Sequence, residues 1–353
     1  MNSRPSITFL RDSHNFGPTS LDVSSALEDI SSVEDISSVE DISSVEDISS
    51  VADVSSVEDI SSAKYMSSVE EITSAEDKSS GLEDMVIISD ISSASHLRAV
   101  EQLQKEVWGV SDLDVVPLTQ LIAAKAAGGV LLGAFDGNEL IGFVYGFAAL
   151  EDGQLAHHSH MLAVKPALRG TNIGMRLKLA QRERVIAQGI NLMSWTFDPL
   201  QSLNAHFNFA KLGVVSDAFY PDFYGTDATS FLHRTGTDRL WVKWHLSSSR
   251  VVERLASQPP PDRPTDARKL LAVSEGLEPL RQLPEQCLSS RELLIEIPKN
   301  FPAIEAESEQ LAKSWRRATR WAFSLAIAAG FTVREFYKGS NRDLSGAYLL
   351  TRD

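Results

Sequence analysis

The sequence predicts a mixed α/β fold: a central mixed sheet flanked by helices, with a low-complexity N-terminal arm before it and a C-terminal strand-helix-strand-strand extension after it. Three observations predict this. Beyond Met85, short apolar runs alternate with segments whose apolar residues recur every three or four positions. Glycine and proline punctuate those segments at the places where strands and helices end. A hexapeptide repeat is confined to the residues before Met85 and marks them as a separate region.

The arm, residues 1–84, repeats Ser-Ser-Val-Glu-Asp-Ile from Ser31, with apolar residues at every third position from Val33 to Ile60. A step of three drifts around a helix, and on a strand it alternates faces, so neither element gains one apolar side. High acidity and few aromatics favour disorder. The hexads resemble a left-handed β-helix repeat, but almost no glycine stands at their corners. Asp90-Ile91-Ser92-Ser93 repeats the same tetrapeptide inside the next region, so the arm reads as an expansion of that segment or an over-extended start, and no chemistry is assigned to it.

Net charge is −15, unevenly placed: residues 1–90 hold 20 acidic and 4 basic side chains, and the remainder 28 and 29. The near-neutral remainder offers no basic stripe, and the acidic arm repels phosphates and anionic lipid, so neither nucleic acid nor membrane is expected as a partner. A lone cysteine, Cys287, excludes an internal disulfide and fits a reducing compartment. No basic-then-apolar leader starts the chain, and its apolar stretches stop short of the roughly 20 residues that span a bilayer. A cytoplasmic protein is expected.

The elements follow in order. Val86–Ile88 reads as a strand, and Leu97, Val100, Leu103 and Val107 set a helix over 94–108. Pro117 opens a helix over 118–127, ended by Gly128-Gly129. Strands at 130–135 and 140–150 flank Asp136-Gly137, a hairpin signal. A strand over 156–164 runs through a glycine-bearing turn into a helix over 175–188, closed by Gly189. A strand at 191–197, a helix at 203–212 closed by Gly213, and strands at 214–219 and 239–246 complete the region, residues 85–249.

The turn reads Arg169-Gly170-Thr171-Asn172-Ile173-Gly174 between strand and helix. A helix N-terminus leaves unpaired N–H groups and partial positive charge, which together suit a pyrophosphate. Asn tolerates the left-handed region that glycine usually fills.

With this element order, the turn resembles the Arg/Gln-x-x-Gly-x-Gly/Ala motif of the GNAT acyltransferase family, most nearly a bacterial branch with a C-terminal extension. Asn172 departs from the usual glycine. The resemblance implies an acyl-CoA cofactor, acetyl-CoA or another acyl donor. Its pyrophosphate would lie on Arg169, Gly170, Thr171, Asn172, Ile173, Gly174 and Met175, and its thioester and pantetheine along Leu162, Ala163 and Val164. A helix asparagine that touches the cofactor falls near Asn204 or Asn208, neither in register. The implied activity is direct N-acyl transfer, of an acetyl, succinyl or other acyl group, to a small-molecule amine or amino acid. The alternative is a non-catalytic acyl-CoA-binding or regulatory module.

Transfer to an amine needs a base and an acid. Strand alternation places His158 and His160 on one face with Leu162 and Val164. Histidine titrates near neutral pH, so His158 is the first candidate base and His160 the second. The family's acid tyrosine corresponds to Phe209, which has no proton to give; Tyr220 and Tyr224 are the substitutes. Asp198, at the end of the fifth strand, is placed either to orient the acceptor ammonium or to cap the next helix. His-x-His lacks a third ligand, so no metal is expected.

Pro259-Pro260-Pro261 marks a linker to the extension, residues 250–353. Strands are read at 292–297, 331–337 and 347–350, with one long helix over 304–329. Leu311, Trp315, Ala318, Trp321, Ala322 and Leu325 give that helix a core stripe, and Lys313, Arg316, Arg317 and Arg320 read as a solvated face. The extension is expected to pack on the preceding region and close one side of the acceptor pocket; it also offers a homodimer surface.

Overall fold

The computed structural model describes residues 85–225, 235–340 and 343–352. The repeat arm and its expected disorder lie outside the described residues. The first half runs β1 (Val86–Asp90), α1 (Ala94–Trp108), α2 (Leu118–Ala126), β2 (Val130–Asp136), β3 (Glu139–Glu151), β4 (Gln154–Val164), α3 (Ile173–Ala187) and β5 (Leu192–Phe197). Then come α4 (Ser202–Ala205), running on as the π-helix His206–Leu212, β6 (Val215–Tyr220) and β7 (Arg239–His245). The order is the one expected from the sequence, and it is the mixed sheet flanked by helices that the family resemblance implied.

Residues after 248 add α5 (Ser249–Leu255), β8 (Arg268–Val273), β9 (Pro279–Arg281), α6 (Pro284–Cys287), β10 (Glu292–Pro298), α7 (Phe301–Glu307), α8 (Glu309–Ala328), β11 (Thr332–Tyr337) and β12 (Ser345–Thr351). The described strands form one sheet in the order β1-β2-β3-β4-β5-β7-β6-β11-β12-β10-β8-β9. The later strands thus extend the sheet sideways, with Val333 of β11 paired to Ser216 of β6. The single long helix expected over 304–329 is two. Ser308, at φ −151° and ψ 100°, leaves helical geometry and caps α8 by accepting from the Leu311 N–H at 3.2 Å.

Two apolar layers sandwich the first half of the sheet. On one side α1 and α2 bury Leu97, Val100, Leu103, Val107 and Leu121 against Phe143, Tyr145, Met161 and Ala163. On the other, α3 buries Ile173 and Leu177, packed with Leu162 and Val164, in a core continuous with Trp244, Trp315 and Phe323. The expected solvated face of α8 holds only in part: Lys313 and Arg317 are exposed, whereas Arg316 is buried and Arg320 is half-buried. Their charges are taken up by Asp198 and by Asp222 with Asp238 respectively.

β4 carries a β-bulge. Tyr145 faces Met161 and Phe147 faces His158, so Gly146 alone opposes both Ser159 and His160. A side chain at 146 would strike the His157 imidazole and lie 2.6 Å from the His158 carbonyl oxygen, which fixes glycine there. The extra residue reverses the alternation. His158 and His160 face the α1–α2 side, but Leu162 and Val164 face α3, correcting the expectation that all four share a face.

Candidate functional site

β4 and β5 run parallel but pair only at His157↔Met193 and His158↔Ser194. Beyond those pairs β5 stays with β7, through Trp195↔Val242 and Phe197↔Leu240, and β4 stays with β3. A gap therefore opens from an apex at Ser159 and Trp195 towards the carboxyl ends of both strands. The Lys165 N–H donates to the Ile141 carbonyl on β3 at 2.9 Å. Alternation then aims the backbone groups of Leu162 and Val164 into the gap, and those of Ala163 towards β3.

The turn after β4 lies at the wide end. Gly170 has φ +87° and Asn172 has φ +58°, so asparagine does take the left-handed position. The Thr171 hydroxyl donates to the Leu168 carbonyl at 2.6 Å, which tightens the turn. No side chain caps α3, and its first backbone N–H groups stay open, as an anion site requires. Gly174 is informative in another way. Its φ is not positive, and a Cβ there would meet only Leu162 and Val164 at an ordinary 4.0 Å. Neither conformation nor packing within the chain demands glycine at this position.

On the α1–α2 side of the gap, the sheet presents an aromatic surface. His158 stacks on Trp241, centroids 4.9 Å apart and 27° between planes. Its Nδ1 lies 3.2 Å from the Ser194 hydroxyl. Phe147 touches both His158 and His160, and Tyr145 meets His160 edge-on. Tyr220 and Phe223 pack against Trp241, whose indole N–H is held by Glu151 at 2.6 Å. Tyr224 meets Phe223 edge-on and lies under the Arg239 guanidinium. The candidate base His158 and Tyr220 thus gather around Trp241, and Tyr224 lies one ring further out, beyond Phe223.

Burial sets the electrostatics of this strand. Desolvation, with His160 and Lys178 nearby, lowers His158 to about 4. Desolvation, with Lys178 and His158, lowers His157 to about 4. Burial lowers His160 and raises Tyr145. All three imidazoles are neutral at physiological pH.

Under the gap, on the α3 side, runs a buried polar chain. The Lys178 amine donates to Ser159 Oγ at 2.7 Å, Ser159 donates to Gln181 Oε1 at 2.8 Å, and Gln181 Nε2 lies 3.3 Å from His157 Nε2. Lys178 Nζ also sits 3.7 Å from the centre of the Trp195 ring. Desolvation holds Lys178 well below its usual range.

Two sequence expectations meet different surroundings. Asp198 is buried, with both carboxylate oxygens bonded to Arg316 at 2.7 and 2.8 Å and Oδ1 also accepting from the Leu200 N–H. Burial alone would raise it, yet Arg316 draws it below the usual carboxylate value. Its charge is already matched, so it is an anchor and a cap rather than an open partner for an acceptor ammonium. Asn208 is likewise buried and accepts from the Trp195 indole at 3.3 Å, while Asn204 is exposed. Sequence reasoning passed over Lys178, Trp241, Tyr145 and Phe147. For Lys178 the available signal was a lysine in the second turn of a helix whose neighbours Leu177 and Gln181 face inwards.

No family model and no curated protein matches this chain. Among solved structures, it is similar to the ribosomal-protein-S18-alanine N-acetyltransferase from Escherichia coli, at 12% identity over 47% of this chain and 96% of that one, with a TM-score of 0.37. It is also similar to the aminoglycoside 6′-N-acetyltransferase from Enterococcus faecium, at 19% identity over 50% and 99%, TM-score 0.35. A third is Naa50 from Arabidopsis thaliana, solved with a bisubstrate analogue, at 15% identity over 45% and 97%, TM-score 0.36.

Proposed function

We propose that residues 85–249 form an acyl-CoA-dependent N-acyltransferase that passes an acyl group directly to the amine of a small molecule or amino acid. One observation carries the reading: a gap between two parallel strands, open at its wide end onto an uncapped helix N-terminus built from Arg169 to Gly174. Backbone N–H groups of Gly170 and of Asn172 to Met175 hold the pyrophosphate. The backbone of Leu162 and Val164 pairs with the pantetheine arm and with the thioester carbonyl, where a donor also steadies the oxyanion. The glycine at 174, which nothing inside the chain requires, leaves room for that close approach.

The acceptor approaches across the aromatic face. Neutral His158 does not take a proton from a free alkylammonium. It takes one from the nitrogen after attack on the carbonyl, when the forming bond has made that proton acidic. Tyr220 or Tyr224 returns a proton to the leaving thiolate. Residues 250–353 serve the core by extending its sheet and by matching the charge of Asp198.

A non-catalytic acyl-CoA-binding module is the second reading, and Phe209 favours it: the ring is fully buried where a proton-donating tyrosine is expected. Thiol release from a panel of acyl-CoAs with a panel of amines separates the two. The transferase releases thiol in an acceptor-dependent way; binding without release for any acceptor selects the module.

A further inference from the structure

We propose that the apex of the gap is an acyl-chain pocket for a carboxylate, so that the donor is a CoA thioester whose acyl group ends in a carboxyl group, with Lys178 as the residue that binds it. The inference rests on the acyl-CoA reading above and goes on to name the donor class.

Position comes first. The pyrophosphate turn lies at the wide end, beyond Val164, and the apex lies at Ser159. Five residues of strand separate them, about 17 Å at the usual rise. An extended pantetheine arm laid along β4 therefore delivers its acyl group to the apex. The groups waiting there on the α3 side are Ser159, Lys178, Gln181 and Trp195.

Chemistry comes second. Lys178 is 3% exposed, and no acidic side chain among the described residues forms an ion pair with it. Among the described residues its one hydrogen-bond acceptor is Ser159, although an ammonium carries three donors. Two further buried basic side chains, Arg254 and Arg316, are each matched by an acid, Glu335 and Asp198. A buried lysine is costly unless its charge is matched, and among the described residues this one meets a hydroxyl and the face of Trp195 but no carboxylate. A carboxylate at the apex supplies the missing partner and restores the ammonium form that burial suppresses. The buried His157 Nδ1, which has no hydrogen-bond partner, shows that the chain Lys178–Ser159–Gln181–His157 ends without an internal anion as well.

The placement also divides the labour between the two faces. The donor's far end is read on the α3 side by Lys178, while the amine arrives on the opposite side past His158 and Trp241. Strand alternation makes that division, sending Ser159 to the α3 side and its neighbours His158 and His160 to the aromatic side.

Calorimetric binding of butyryl-CoA and succinyl-CoA to the full chain is the test, since the two acyl groups match in length and differ by the terminal carboxylate. The expected result is succinyl-CoA tighter by about ten- to a hundred-fold. In Lys178→Met, which removes the charge but fills the same space, that preference vanishes. Equal affinities in the natural chain overturn the inference and leave the acyl-CoA reading standing, as does a preference that survives Lys178→Met. If neither thioester binds, the acyl-CoA reading falls and this inference falls with it. Should Lys178→Met not fold, the comparison in the natural chain still decides.

Discussion

Arg316 on α8 holds both carboxylate oxygens of Asp198, at 2.7 and 2.8 Å, across 118 residues of sequence. Asp198 stands at the end of the strand that forms one wall of the gap. Phe219 stacks on Phe323 and Phe209 meets Tyr348 edge-on, so aromatic contacts join the same two parts of the chain.

Breaking that ion pair from one side leaves a buried charge unmatched. Arg316→Met is expected to cost about 3–5 kcal/mol in urea denaturation. Adding Asp198→Asn recovers part of the loss, because the second change removes the stranded charge. A loss in Arg316→Met below about 1 kcal/mol contradicts the anchoring role.

Stability should depend on the β4 histidines. His157 and His158 are held at about 4, below the ordinary 6.5, so the unfolded chain binds more protons between those values. Their contribution is fully present above pH 6.5 and is lost as pH falls towards 4. Denaturation midpoints measured from pH 7.5 to 5 should fall, and His157→Gln should flatten the fall.

Gly174→Ala separates folding from binding. The new methyl meets only ordinary contacts and the residue lies in a helix, so stability holds or rises by about 0.5–1 kcal/mol. Affinity for CoA, measured by calorimetry, should drop. Unchanged affinity removes Gly174 from the pyrophosphate site.

His158→Ala should slow acyl transfer by about 10²–10⁴-fold and leave acyl-CoA affinity intact. Because the imidazole is neutral down to about pH 4, the rate should not decline through its titration between pH 8 and 6. A rate loss of less than about three-fold transfers the base role to His160, with His160→Ala as the control.

Much of this fold was legible because its signals are local. Asp136-Gly137, Gly189 and Gly213 mark real ends, and the left-handed Asn172 follows from a property of asparagine alone. The site was half legible for the opposite reason. Strict alternation put His158 with Leu162, but one extra residue opposite Gly146 reverses the count, and a bulge depends on a partner strand. The roles of Asp198 and Arg316 were hidden similarly, since each is settled by a residue far along the chain. Ser308, by contrast, was readable: a serine before Glu309 is an ordinary helix start, masked by the apolar periodicity on both sides of it.

The two rungs joining β4 to β5 have a mechanical meaning. Elsewhere each strand of this part of the sheet is laced to its neighbour along most of its length; here two nearly independent plates share one seam. Such a seam is a weak line in this part of the sheet under load or heat, and amide exchange on the free edges of β4 and β5 should report it. A ligand lying in the gap adds the missing rungs and welds the plates. Filling the site and stiffening the whole sheet are then one event, and a protease probe at the seam would read both.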